Sequence, residues 1–263
     1  MSRGRRHGGE RPRERPPGGR AGADPATVLY GRNAVREALE AGRRRVRRVW
    51  ATEGAAREPW LAEAAVPVTV TDADEVARRA GSDGHQGVAA EAEPYPYADA
   101  DELLHRAAPL IVALDEIQDP QNLGAICRTA ETVGADGVVI GERRSAQVTA
   151  AVCKASAGAV EHLAVARVRN LADFLADAKA AGVWCYGAAA EAEMAYLDPD
   201  FRDGVVLVLG SEGRGLRPRV ASACDALIAL PMRGRVGSLN VSAAAAALLY
   251  GILQRREGLD SAP

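Results

Sequence analysis

Three short segments of this sequence combine side chains able to do chemistry with glycines that let a backbone approach a ligand closely. The first, residues 115–128, opens on Asp115 and Glu116 and holds Asn122, Gly124 and Arg128 in the order N-x-G-x-x-x-R. The second, residues 209–216, sets Gly210, Gly213 and Gly215 around the carboxylate of Glu212. The third runs from Leu230 and Pro231 through Arg233 and Arg235 to Ser238, Leu239, Asn240 and Ser242. Asn122, Arg128, Glu212, Ser238 and Asn240 together supply amides, a hydroxyl, a carboxylate and a guanidinium that is essentially always charged. Such a set can hold a hydroxyl oxygen in line for attack, ease the loss of its proton and stabilise the negative charge that develops. Each residue also has a plainer reading: Asn122 can cap a helix with Arg128 on its surface, and Ser238 or Asn240 can cap a later one. The glycines of the second segment follow G-x-x-G-x-G, the reverse of the dinucleotide fingerprint. No G-x-x-x-x-G-K-[ST] occurs, which argues against nucleotide hydrolysis.

These side chains converge only if a scaffold brings them together. Beyond residue 108, strand-like apolar runs at 110–114, 137–140, 163–168, 183–187, 205–209 and 226–230 alternate with helical stretches. Leu123, Ile126, Cys127, Ala130 and Val133 form one apolar stripe, and Val241, Ala245, Leu248, Leu249 and Ile252 form another. The pattern predicts an α/β fold whose mostly parallel sheet is covered on both faces. In such sheets ligands bind beyond the carboxyl ends of the strands, and each of the three segments directly follows a predicted strand. Residues 27–93 read as a separate small α/β domain, with a helix carrying Val35 and Leu39, strands at 46–50, 66–70 and 87–89, and a helix at 57–65. Pro94 and Pro96 then break the pattern, so 94–108 reads as a linker and 109–258 as the second domain.

Charge is unevenly spread over the 263 residues. The formal net charge is −2, but residues 1–26 carry seven arginines against Glu10, Glu14 and Asp24, a local +4 that leaves −6 for the rest. That segment, rich in Arg, Gly and Pro, predicts a disordered basic tail. In the acidic remainder, a polyanion would need local clusters: Arg43 to Arg45, Arg47 with Arg48, Arg143 with Arg144, Arg214 with Arg217 and Arg219, or Arg233 with Arg235. The four cysteines, Cys127, Cys153, Cys185 and Cys224, form no C-x-x-C pair, so neither a zinc site nor a disulfide framework is expected. The longest uncharged apolar run, 241–253, is too short for a membrane span, and no secretory leader is recognisable. A reducing cytoplasm is the expected location.

Taken in order, the three segments resemble the SpoU (TrmH) branch of the SPOUT RNA methyltransferases. The shared motifs are N-x-G-x-x-x-R ending at Arg128, L-G-x-E-x-x-G over 209–215, and L-P-M followed by S-L-N-V-S over 230–242. The run Y-G-R-N-A-V from Tyr30 to Val35, and His85, Gln86 and Gly87 before a strand, look like the L30e-like RNA-binding domain of the RlmB-type 23S rRNA guanosine 2′-O-methyltransferases. The resemblance implies a C-terminal SPOUT domain with a deep trefoil knot, S-adenosylmethionine (SAM) as cofactor without a metal, and a homodimer whose partners complete each other's sites. It implies that Gly210, Leu230 and Leu239 line the SAM pocket and that Arg128 is central to catalysis. Because a guanidinium does not readily give up its proton, the expected role of Arg128 is to bind the adjacent phosphate and stabilise the forming alkoxide. Glu212 would orient that arginine or relay the proton, and Ser238 and Asn240 would position the ribose. RNA is expected over DNA, since the reacting group is the 2′-hydroxyl. The competing substrates are a tRNA ribose and an rRNA adenosine of the resistance type; the competing function is a non-catalytic ribosome-assembly factor.

Overall fold

The structure, a computed structural model, describes residues 26–235 and 237–258; the expected basic tail lies outside them save for Ala26. The first part runs β1 (Thr27–Tyr30), α1 (Arg32–Ala41), β2 (Val46–Ala51), α2 (Pro59–Ala62), β3 (Val68–Val70), α3 (Ala73–Ala80) and β4 (Val88–Ala92). Its four strands lie in the order β1-β4-β2-β3, with only β2 and β3 parallel. The helix expected over 57–65 is split: a single 3₁₀ turn over Ala55–Arg57 precedes α2. Glu58 between them is extended, as the residue before a proline prefers, and Pro59 opens the new helix.

The second part runs α4 (Ala100–Leu104), β5 (Leu110–Asp115), α5 (Pro120–Thr132), β6 (Gly137–Gly141), α6 (Ala150–Ala155), β7 (Val165–Val168), α7 (Leu171–Ala180), β8 (Trp184–Ala188), β9 (Met194–Ala195), β10 (Val205–Gly210), α8 (Pro218–Ala223), β11 (Ala226–Ala229) and α9 (Val241–Glu257). Its strands form a parallel seven-stranded sheet in the order β7-β6-β5-β10-β8-β11-β9. Alternate residues of the central strands face opposite ways. Leu110, Val112 and Leu114 with Val205, Leu207 and Leu209 pack under α5, α6 and α9. Ile111, Ala113, Val206 and Val208 pack against α4, α7 and α8. The register pairs Gly210 with Asp115, so the ends of β10 and β5 are level and the loops that follow them emerge side by side.

The two sheets are not independent bodies. The core under α5 and α6 continues into Leu29 and Val49 of the first sheet and Val35 of α1. Within residues 94–108, Tyr95 is buried, its hydroxyl 2.7 Å from the Leu163 carbonyl and 3.0 Å from that of Val160. Leu103 and Leu104 of α4 join the second core. Arg44 crosses the junction to pair with Glu161, each side chain 1 % exposed, while its Nη1 donates to the Glu93 carbonyl at 3.3 Å. Arg44 therefore leaves the set of arginines open to RNA. Its role is structural, because a buried charge demands its partner.

Candidate active site

The loops after β8, β10 and β11 and the start of α9 close around one cavity of about 760 Å³, within the usual range for a small-molecule site. Of the residues singled out above, Gly210, Glu212, Leu230, Ser238, Leu239 and Asn240 line it. Asn122 reaches the same place from α5. Its Nδ2 donates to Glu212 Oε1, and Asn240 Nδ2 donates to Asn122 Oδ1 at 3.1 Å. The three segments, separated in sequence by about 90 and 118 residues, are thus joined by one hydrogen-bonded chain of side chains.

Helix capping explains why Asn122 is free to do this. The cap of α5 is Asp119, which accepts the Gln121 amide at 2.8 Å, and Pro120 fills the first helical position. Asn122 then falls in the first turn, 8 % exposed, with its side chain turned toward Glu212. Asn240 does cap α9, Oδ1 accepting the Ser242 amide at 2.8 Å, and it contacts Asn122 as well.

The turn that carries Glu212 is drawn tight by its glycines. Gly213 and Gly215 are left-handed, at φ 77° and 65°, and the Gly215 amide donates to the Ser211 carbonyl at 2.9 Å. A β-carbon on Gly210 would lie 2.1 Å from the Gly215 carbonyl carbon, so only glycine lets the chain double back there. Such a cradle, with backbone groups on one side and Leu209, Ile228, Leu230 and Leu248 on another, fits an adenosine-bearing ligand that needs an apolar slot and main-chain hydrogen bonds.

Asp115 and Glu116 open the first segment and Arg217 belongs to one of the arginine clusters, but nothing in the sequence signals that they meet. Asp115, fully buried at the end of β5, accepts the Arg217 amide at 2.8 Å and its Nε at 2.7 Å, pinning the far end of the glycine turn. This hydrogen bond to a carboxylate holds the Arg217 guanidinium above its ordinary pKa, against the opposing effect of burial. Glu116 is held at φ 58° beside Arg217 and Arg144, at 3.3 and 3.6 Å. The one sequence signal was position: Asp115 is the last residue before a loop at the carboxyl edge.

Arg128 is set apart. Six residues beyond Asn122, it lies about 120° around α5 and about 9 Å along it, exposed and outside the cavity lining. Cys127, Cys153 and Cys185 are buried and Cys224 half-buried, and burial pushes all four thiols up to about 12. Among the described residues no three His, Cys, Asp or Glu are grouped to hold a metal, and no helix is long and apolar enough to cross a membrane.

Residues 109–250 match the SpoU rRNA Methylase family, and residues 28–98 match the RNA 2′-O ribose methyltransferase substrate binding family. The Bacillus subtilis protein YacO, named as a TrmH family tRNA/rRNA methyltransferase, is 39 % identical over 248 residues, covering 87 % of this chain and 95 % of that one. The Synechocystis tRNA/rRNA methyltransferase slr0955 is 40 % identical over 244 residues, and this chain spans 62 % of its length. The structure is similar to that of the SpoU methyltransferase AviRb from Streptomyces viridochromogenes in complex with AdoMet, with a TM-score of 0.76 and 26 % identity over 88 % of this chain and 91 % of that one. Likeness to the A. aeolicus TrmH/SpoU tRNA modifying enzyme covers 61 % of this chain and 82 % of that one, at a TM-score of 0.53 and 28 % identity. A parallel sheet with a glycine-cradled cavity at its carboxyl edge and a substrate-binding domain packed on its flank place the chain in the SpoU family, as a SAM-dependent RNA 2′-O-ribose methyltransferase.

Proposed function

We propose that this enzyme methylates a guanosine 2′-hydroxyl in 23S rRNA, acting as a cytoplasmic homodimer. The observation that carries the reading is the chain Glu212–Asn122–Asn240 at the mouth of the cavity. SAM, when bound, supplies a methyl group activated by its sulfonium. Gly210, Leu230 and Leu239 would hold it, the glycine turn giving main-chain partners and the leucines an apolar wall. Asn122 occupies one oxygen of Glu212, and Oε2 has no partner among the described residues, so it faces the task of sharing the hydroxyl's proton. Ser238 and Asn240 orient the ribose. Arg128 binds the adjacent phosphate and stabilises the developing alkoxide.

The position of Arg128 supports the dimer. A catalytic cation that stands off its own cavity is explained if it serves the partner's cavity, and Ala243, Ala247 and Tyr250 leave an exposed face on the neighbouring α9. The trefoil knot belongs to the same reading, since 209–216 and 230–242 wrap one cavity from two sides. So does the division into a basic tail at 1–26, a substrate-binding domain at 27–93, a linker at 94–108 and a methyltransferase domain at 109–258, which the family matches at 28–98 and 109–250 support. That additional domain favours rRNA over tRNA, because the likeness to the tRNA-modifying enzyme stops at 61 % of the chain. The test is transfer of labelled methyl from SAM to unmodified 23S rRNA and, separately, to bulk unmodified tRNA. Incorporation into 23S rRNA alone is expected, and incorporation into tRNA alone would overturn the assignment.

A further inference from the structure

The arginine clusters look alike in the sequence, but the structure sorts them. Arg217 is held by Asp115, Arg219 by Asp173 at 2.8 Å, Arg57 by Glu53 at 2.7 Å, and Arg47 and Arg48 by Glu91. Arg214, Arg233 and Arg235 have no ion pair or hydrogen bond among the described residues, and all three are exposed. They are also not scattered. Arg214 lines the cavity at the tip of the glycine turn, and Arg233 and Arg235 lie in the stretch between Met232 and Gly237, which both line it. The carboxylates lining the same cavity are Glu191 and Glu212, and Glu212 is engaged by Asn122.

An exposed guanidinium with no carboxylate keeps its full charge and its planar fork of donors for a ligand, the geometry that matches a phosphodiester. One such residue is an ordinary solvated cation. Three on the rim of one cavity, in a body that is otherwise acidic and pairs most of its arginines, form a local positive field where a polyanion must approach. Given the reading above, we propose that Arg214, Arg233 and Arg235 form a phosphate-binding rim that receives the RNA backbone on either side of the methylated ribose. They fix the strand over the cavity without reading its sequence, since phosphate contacts position and base contacts specify.

The test is the salt dependence of binding to an unmodified 23S rRNA transcript by the full chain, measured across roughly 50 to 200 mM salt. Each phosphate contact contributes about 0.7 to 0.9 to the slope of log affinity against log salt, so Arg214→Ala, Arg233→Ala and Arg235→Ala combined should lower the slope by about 2 to 3. The control is Arg57→Ala combined with Arg219→Ala and Arg48→Ala, which removes the same charge from paired sites and should leave the slope within about 0.5 of the unaltered chain. SAM affinity, measured by calorimetry, should stay within twofold in the rim variant. Equal slopes for rim and control variants would overturn the rim, as would a rim variant that loses SAM affinity and keeps its RNA slope, which would assign these cations to the cofactor's carboxylate. A chain that binds RNA with the expected slope and transfers no methyl would refute the underlying reading and leave the rim standing.

Discussion

Replacing Gly210 by alanine tests whether the glycine turn is the cofactor cradle. The added β-carbon would stand 2.1 Å from the Gly215 carbonyl carbon and 2.3 Å from both its oxygen and the Leu216 nitrogen, where ordinary contact begins at 3.4 Å. All three obstacles are backbone atoms, so no rotamer change relieves them. The turn must open by about 1.3 Å, the shortfall between those two distances. Overpacking of that size costs about 1 to 3 kcal/mol, or a fall in Tm of roughly 2 to 12 °C at about 2 to 4 °C per kcal/mol. The functional loss should be larger than the structural one. Displacing positioned groups by about 1 Å costs on the order of 100-fold, so SAM affinity by calorimetry should fall about 100-fold in a protein that still melts cooperatively. Gly234→Ala is the control: nothing lies within 4 Å of its β-carbon position, and both affinity and Tm should hold. A Gly210→Ala protein that binds SAM within threefold of the unaltered chain would refute the reasoning, because the cavity would then not depend on the turn.

Glu161→Gln leaves Arg44 buried with no counter-charge and should cost about 3 to 5 kcal/mol; the Arg44→Met, Glu161→Leu double variant should recover most of it in denaturant titrations, and strictly additive losses would show that the pair is not coupled. Asp115→Asn removes a carboxylate from three donors of Arg217 and should lower stability by about 1.5 to 3 kcal/mol, with a several-fold weaker SAM affinity read by calorimetry. The four thiols, raised to about 12 by burial, should resist iodoacetamide at pH 8 in the folded chain and react readily in denaturant. Since the unfolded thiols ionise near pH 8.5, stability should be flat below that value and fall above it, where the unfolded state sheds protons first, and a Cys-free variant should lose this alkaline slope.

How far the sequence could be read depended on how local each determinant is. The strands at 110–114, 137–140 and 205–209 are runs of branched apolar residues whose pattern alone places them in a buried parallel sheet, and they were found within a residue of their observed ends. The three chemistry-bearing segments were legible because each follows such a strand. The two-residue β9 leaves no periodicity to read. Asn122 was open to reading as a cap because N-caps are commonly asparagine; the Asp119–Pro120 pair three residues earlier was the stronger signal, and it sets the helix start that turns Asn122 toward Glu212. Arg44 could not be told from Arg43 or Arg45, since what distinguishes it is a carboxylate 117 residues away. The same holds for Asp115 and Arg217, 102 residues apart, which have no shared motif to mark them.

The most direct test of the central claim is where the methyl group ends up. After reaction with labelled SAM, 23S rRNA should be digested to nucleosides, the labelled nucleoside identified by mass, and its position mapped by resistance of the adjacent linkage to alkaline cleavage. One 2′-O-methylguanosine is expected, absent with Arg128→Ala and nearly absent with Arg128→Lys, because a point charge does not reproduce the bidentate hold on a phosphate. A methyl group on a base, or Arg128→Lys turning over like the unaltered chain, would contradict the account.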